Sequence, residues 1–145
     1  MTKTDETRAA LNELSPDECI RLLGDQSVGR LAVAFPGEPP TVVPVNYLIE
    51  GDVIVFRSDL GQKLTRLRQQ PVAFELDHID YVHRTGWSVL VQGVAYEATH
   101  FETDHLALHP WAEGEKSHWV RIVPSSITGR RLVLPEWPRS SRGYL

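Results

Sequence analysis

The stretch Thr41-Val42-Val43-Pro44-Val45-Asn46-Tyr47-Leu48-Ile49, followed by Glu50-Gly51-Asp52 and then Val53-Ile54-Val55-Phe56, decides the fold class. Two runs rich in β-branched and aromatic residues flank a tight turn-forming connection, which reads as a pair of strands. Immediately upstream, Val28-Gly29-Arg30-Leu31-Ala32-Val33-Ala34-Phe35 has the same character and ends in the turn-rich Pro36-Gly37-Glu38-Pro39-Pro40. Three consecutive strands make a β-meander. Pro44 removes an amide donor from the second of them, so its position belongs at an edge, at a bulge, or where the backbone faces something other than a strand, a ligand included.

Ser15-Pro16-Asp17-Glu18 opens a helix, with an N-cap serine, a proline in the first turn and a glutamate at the capping-box position. Cys19, Ile20, Leu22 and Leu23 form its buried side and Gly24 ends it. Downstream of the meander, Asp59 caps a short helix over about 60–68, anchored by Leu64 and Leu67. Pro71 to Leu76 resumes strand character, and Asp77 to Gly86 reads as a polar connection. Trp87 to Tyr96 is the longest strand candidate, with Gly93 marking a bend or a close approach. Thr99 with Glu102 makes a second capping box. A last strand, Trp119 to Val123, is interrupted at Pro124-Ser125-Ser126 and continued over Ile127 to Leu132 around a turn at Gly129. The expected fold is mainly β: a six-stranded antiparallel barrel with short flanking helices, since no strand followed by a long helix repeats. Closure also removes the edges that a meander leaves exposed.

At 145 residues, with 41% hydrophobic and 23% charged, the chain suits one soluble domain. A net charge of −4 provides no overall attraction to nucleic acid or to an anionic membrane, so the expected partners are a small ligand and protein. Cys19 is the single cysteine, which fits a cytoplasmic setting. The polar first residues lack the apolar core of a secretory signal, and no apolar run approaches the roughly 20 residues that span a bilayer.

The chemistry concentrates in Phe56-Arg57-Ser58-Asp59-Leu60-Gly61-Gln62-Lys63. A phosphate needs directional donors and positive charge, and a strand-ending arginine and serine, a tight glycine turn and a lysine in the first helical turn supply both. The alternative is a set of ordinary solvated helix charges.

Taken with Gly29-Arg30-Leu31-Ala32, Val42-Val43-Pro44-Val45-Asn46-Tyr47, Val72-Ala73-Phe74-Glu75, Trp87-Ser88-Val89-Leu90-Val91-Gln92-Gly93 and Ile127-Thr128-Gly129-Arg130-Arg131, this segment resembles the pyridoxamine 5'-phosphate oxidase-like split-barrel family of flavin and deazaflavin proteins, in its small actinobacterial form. The likeness covers residues 15–133, leaving 1–14 and 134–145 as tails that are flexible or contact a partner. It implies a homodimer with the cofactor, flavin mononucleotide (FMN), in a cleft between subunits. By that likeness Val43, Pro44, Val45 and Asn46 lie beside the isoalloxazine ring, Arg57, Ser58 and Lys63 surround the ribityl phosphate, and Trp87, Ser88 and Gln92 face the cofactor across the interface. The implied activity is that of an FMN-dependent oxidoreductase acting on a small substrate. A flavin-binding storage or sensing protein, and a reductase using the deazaflavin F420, are the alternatives.

Other polar residues have plainer readings. His100, His105 and His109 lack the spacing of a metal set and read as surface histidines. Asp77, His78 and Asp80 read as a polar strand end rather than an acid–base pair. Trp111 and Trp119 suit a core or an interface, with a substrate mouth as the alternative. No metal site and no catalytic side chain is assigned.

Overall fold

The computed structural model describes residues 10–58, 66–98 and 118–133. In chain order these form β1 (Ala10–Glu13), α1 (Pro16–Gly24), β2 (Val28–Val33), β3 (Thr41–Glu50), β4 (Val53–Ser58), β5 (Pro71–Asp80), β6 (Thr85–Ala98) and β7 (His118–Val133). Every strand pairing is antiparallel, and the order β7-β4-β3-β2-β5-β6 returns to β7, so six strands close into a barrel. β1 lies outside the ring, beside Arg130–Val133 of β7.

Alternate residues fill the interior. Leu31, Tyr47, Phe56, Phe74, Val91 and Ile122, one or more from each barrel strand in turn, are buried. Tyr47 meets Phe74 edge to face at 4.9 Å, and its hydroxyl donates to the carbonyl oxygen of Leu23, tying α1 to the barrel. Burial pushes the Tyr47 phenol pKa well up, which keeps it a donor. α1 starts as its sequence dictates: the Glu18 N–H donates to Ser15 Oγ at 3.2 Å and Pro16 occupies the first turn. Its inward side is Cys19, Leu22 and Leu23.

Four features differ from the sequence expectation. Gly129 makes no turn; it lies within β7, where an added Cβ would come within 2.6 Å of the Cys19 sulfur, so its bareness lets α1 approach the sheet. Pro124 does not break the last strand, because β7 absorbs it in a bulge. Gln92 opposes Ser126 and Gly93 opposes Pro124, leaving Ser125 as the extra residue, whose hydroxyl donates to the Gln92 carbonyl at 3.0 Å. A Cβ on Gly93 would lie 2.2 Å from the Val123 carbonyl oxygen, so the bulge needs a glycine there. The polar stretch 77–86 is mostly strand, since β5 runs to Asp80 and β6 resumes at Thr85. The polar leader contributes β1, whose four residues are all exposed and which is held by pairing rather than burial.

Among the described residues α1 is the one α-helix seen from end to end. The helix expected over 60–68 lies mostly outside the described residues, as does the Thr99–Glu102 capping box; Arg66 and Leu67 are helical.

Gly29 faces inward against Phe74, and an added Cβ would lie 2.1 Å from that ring. Overpacking of this kind costs about 1–3 kcal/mol. Gly29→Ala should therefore lower the unfolding free energy by that amount, seen as a lower urea midpoint at unchanged slope, and a wild-type midpoint would contradict the inward packing of Phe74 on β2.

Candidate functional site

The barrel is split on one side. β3 pairs with β4 only over Tyr47–Glu50, whereas its first half, Thr41–Asn46, pairs with β2 alone among the described residues. The other edge of that half is where β4 carries Arg57 and Ser58. Phe56 opposes Tyr47, so Asn46 and Arg57 are neighbours on adjoining strands, and both face away from the buried Tyr47 and Phe56. Arg57 lies over the Trp119 ring at 5.2 Å, directly across from it on β7. Arg121 follows two residues on, opposite the outward but buried Val55.

The residues singled out by sequence divide between three places. Val43 and Val45 pack against the core, so only their main chain belongs to the open edge, while Pro44 and Asn46 face outward. Pro44 opposes Arg30 of β2 on the half of β3 that pairs with β2 alone among the described strands. Arg57 and the backbone of Ser58 end β4 opposite Trp119 and His118. Lys63 lies outside the described residues.

Trp87, Ser88 and Gln92 are elsewhere. Trp87 packs against the core with its ring 6.3 Å from that of His78, and Ser88 and Gln92 alternate outward along β6. β7 places the two groups relative to each other: Trp119, the partner of Arg57, opposes Ala98, whereas Ser88 opposes Arg130. Ten residues of β6 separate Ala98 from Ser88, which at about 3.3 Å each is roughly 30 Å of strand. Within one chain Trp87 and Ser88 stand at the opposite end of the barrel from Arg57, with Gln92 part-way along β6 beside Val33 and Pro40.

Below the split edge lies a groove of about 470 Å³, bounded by Leu31, Val33 and Val43 from the barrel and by Phe35, Pro39 and Pro40 from the β2–β3 connection. This is within the usual size of a small-ligand site. Arg66 stands at its rim, 4.1 Å over the Phe35 ring and paired with Glu38 at 2.8 Å.

A family model for pyridoxamine 5'-phosphate oxidase matches residues 15–131. The chain belongs to that family. An uncharacterized protein of Mycobacterium tuberculosis, Rv0080, is 35% identical over 132 residues, covering 83% of this chain and 85% of the relative. Among solved structures, the FAD-binding protein of Mycobacterium smegmatis is 32% identical, covers 85% of this chain and 99% of its own, and superposes with a TM-score of 0.66. An FAD-binding protein of Mesorhizobium loti is 27% identical over 83% of this chain and 97% of its own, also with a TM-score of 0.66. Flavin binding is thus a property of related proteins in the pyridoxamine 5'-phosphate oxidase family.

One cluster on the outer face escaped sequence reasoning. Arg30 of β2 reaches Asp77 at 3.1 Å and Glu75 at 3.6 Å, both on β5. Burial, then the hydrogen bond to Asp77 and the Asp77 charge, push the Glu75 carboxyl up to about 7, against the pull of Arg30. Glu75 therefore holds a proton at pH values where a free glutamate has lost it. The only hint in sequence was an arginine and two acids that become neighbours once β2 and β5 are set in register.

Because the folded state binds this proton more tightly than the unfolded chain, the Glu75 contribution to stability is complete below about pH 4.5 and is lost as pH rises through 7. Glu75→Gln keeps a donor toward Asp77 without the titration. Urea midpoints measured from pH 4.5 to 8 should fall less steeply for Glu75→Gln than for wild type. Parallel curves would contradict the raised carboxyl.

Proposed function

We propose that this chain binds a flavin nucleotide at the split edge and, as a twofold homodimer, uses it as an oxidoreductase on a small substrate. The observation that carries the reading is the outer flank of Thr41–Asn46, the half of β3 that pairs with β2 alone among the described strands, set beside Arg57. Main-chain groups along that flank, with the Asn46 amide, suit the polar edge of an isoalloxazine ring. Pro44 offers an apolar ledge that donates nothing. Arg57, Ser58 and Lys63 supply the charge and donors that a ribityl phosphate needs. The ring brings the electron-transfer chemistry when bound; the protein holds and orients it.

The homodimer reading rests on the separation of Trp87 and Ser88 from Arg57. If those residues face the same cofactor, they must come from a second copy, and twofold dimers are the commonest closed arrangement. FMN satisfies the proposed contacts, and FAD, which two relatives bind by name, carries the same ring, ribityl chain and first phosphate. The two-band visible absorption of oxidised flavin in the purified protein would support this reading, whereas the single band of a deazaflavin would replace it with an F420-type cofactor.

A charge-assisted hydrogen bond to phosphate is worth about 1.5–3 kcal/mol. Arg57→Ala should accordingly weaken FMN binding by about tenfold or more in a fluorescence titration, with the barrel's far-ultraviolet circular dichroism unchanged. Equal affinity would remove the phosphate from this corner. Turnover is tested separately: saturable oxidation of the reduced holoprotein by a small acceptor supports an enzyme, and reaction with dissolved oxygen alone supports storage or sensing.

A further inference from the structure

The outer face of β2, β5 and β6 holds a titratable cluster that the flavin contacts leave unused. Pro44, Arg30, Glu75 and Leu90 stand opposite one another in a single row across β3, β2, β5 and β6. At about 4.8 Å per strand, Glu75 lies roughly 10 Å from the Pro44 ledge, with Arg30 between. Its side chain is 33% exposed, enough to meet a molecule lying on the face.

Two charged groups face Glu75. Asp77, two residues on along β5, shares a hydrogen bond with it, and the Arg30 guanidinium lies 3.6 Å from its carboxyl and 3.1 Å from that of Asp77. β6 brings Leu90 and Ser88, which carry no charge, and Arg130 of β7 stands beyond Ser88. Burial and the neighbouring Asp77 keep a proton on Glu75 into the neutral range. Once that proton is given up, the carboxylate is paired with Arg30. A carboxyl so placed delivers a proton near neutral pH and recovers it from water.

The next row along the same face makes room for a ligand. Ala32, Ala73 and Gln92 oppose one another one step along from Arg30 and Glu75, and with Pro40, Pro71 and Ser125 they bound a hollow of about 400 Å³. Two alanines keep its floor flat, and the Gln92 amide at its side is a hydrogen-bond donor. Among the described residues none of its lining is charged, and Arg30 beside it is already matched by two acids. An anionic substrate gains little there. A flat, neutral molecule with a carbonyl oxygen meets a floor, a donor and an acid.

We propose that Glu75 is the proton donor of the site, acting on a small, flat, uncharged carbonyl compound seated in the hollow over Ala32 and Ala73. The proposal rests on the flavin oxidoreductase reading above and adds to it the acid and the charge class of the substrate. When the carbonyl is conjugated to a carbon–carbon double bond, a two-electron reduction puts a hydride on the β-carbon and a proton on the α-carbon, and the double bond becomes single. The hydride comes from reduced flavin, which is left oxidised. The proton comes from Glu75, which is left as a carboxylate against Arg30.

FMN titration of wild type, Glu75→Gln and Glu75→Asp comes first, and the three should bind alike. A wild type that takes up no flavin removes the oxidoreductase reading and this one with it, whereas loss of binding in Glu75→Gln alone makes the cluster a support for the flavin and overturns the donor role. Each loaded protein is then reduced and mixed with 2-cyclohexenone, oxygen excluded. The wild-type reoxidation rate should fall as pH rises through about 7, where Glu75 loses its proton. At pH 6 Glu75→Gln should be slower by about tenfold or more and show no such fall, and Glu75→Asp should recover part of the loss. A readout free of turnover comes from the flavin-free protein, in which the carbon-13 resonance of the Glu75 carboxyl should titrate near neutrality and shift with saturating cyclohexenone. A wild-type rate and pH profile in Glu75→Gln, or a carboxyl resonance that cyclohexenone leaves unmoved, overturns the role of Glu75 while flavin binding stands. A flavin-loaded wild type that cyclohexenone fails to reoxidise overturns the substrate class.

Discussion

The structure depends on β7 being paired along both edges. One edge runs the length of β6; the other is shared between β4 and, further on, β1. Without that strand the sheet would be open, with β4 and β6 as exposed edges, and the interior residues would face water. The closure tolerates Pro124 only because Gly93 opposite has no side chain and Ser125 is extruded, its hydroxyl taking the Gln92 carbonyl. A local accommodation of one proline thus keeps a sixteen-residue strand continuous.

Closure through β7 also determines what the outer surface can do. It fixes Arg57 beside Trp119 at one end and Ser88 beside Arg130 at the other. Because β4 pairs with β3 only from Tyr47 onward, the first half of β3 at the same end pairs with β2 alone among the described strands, and the groove lies beneath it. Arg57 and that half of β3 thus sit together, while Trp87 and Ser88, which the family likeness also assigns to the cofactor, sit far along the barrel. The proposed twofold dimer would bring these positions to one cofactor. The Arg30–Glu75–Asp77 cluster lies on the face between, where a carboxyl that titrates near neutrality couples that face to pH.

Much of this was legible in the residues. The meander around Glu50-Gly51-Asp52, the capped helix at Ser15 and the close approach at Gly93 each follow from local chemistry, and each element formed where its signal lay. What failed was the reading of residues whose role is set by a distant partner. Gly129 looks like a turn until α1 is packed on it, and Asp77 to Gly86 looks like a loop until β5 and β6 pair to their ends. The same limit applies to the site. Arg57 beside a strand end could be read as an anion contact, but that Val43 and Val45 turn inward while Pro44 and Asn46 turn outward depends on which face of β3 the core claims. The pairing of Arg30 with two acids on β5 spans more than forty residues and leaves no local trace.

The most direct test of a site divided between two chains is complementation in mixed dimers. Arg57→Ala and Ser88→Trp, each impaired in flavin binding alone, are co-expressed with different tags, and the doubly tagged species is titrated with FMN. A shared site predicts that this hybrid, with both lesions gathered into one site, recovers one binding site of wild-type affinity. A hybrid that binds no better than its two parents would contradict the account.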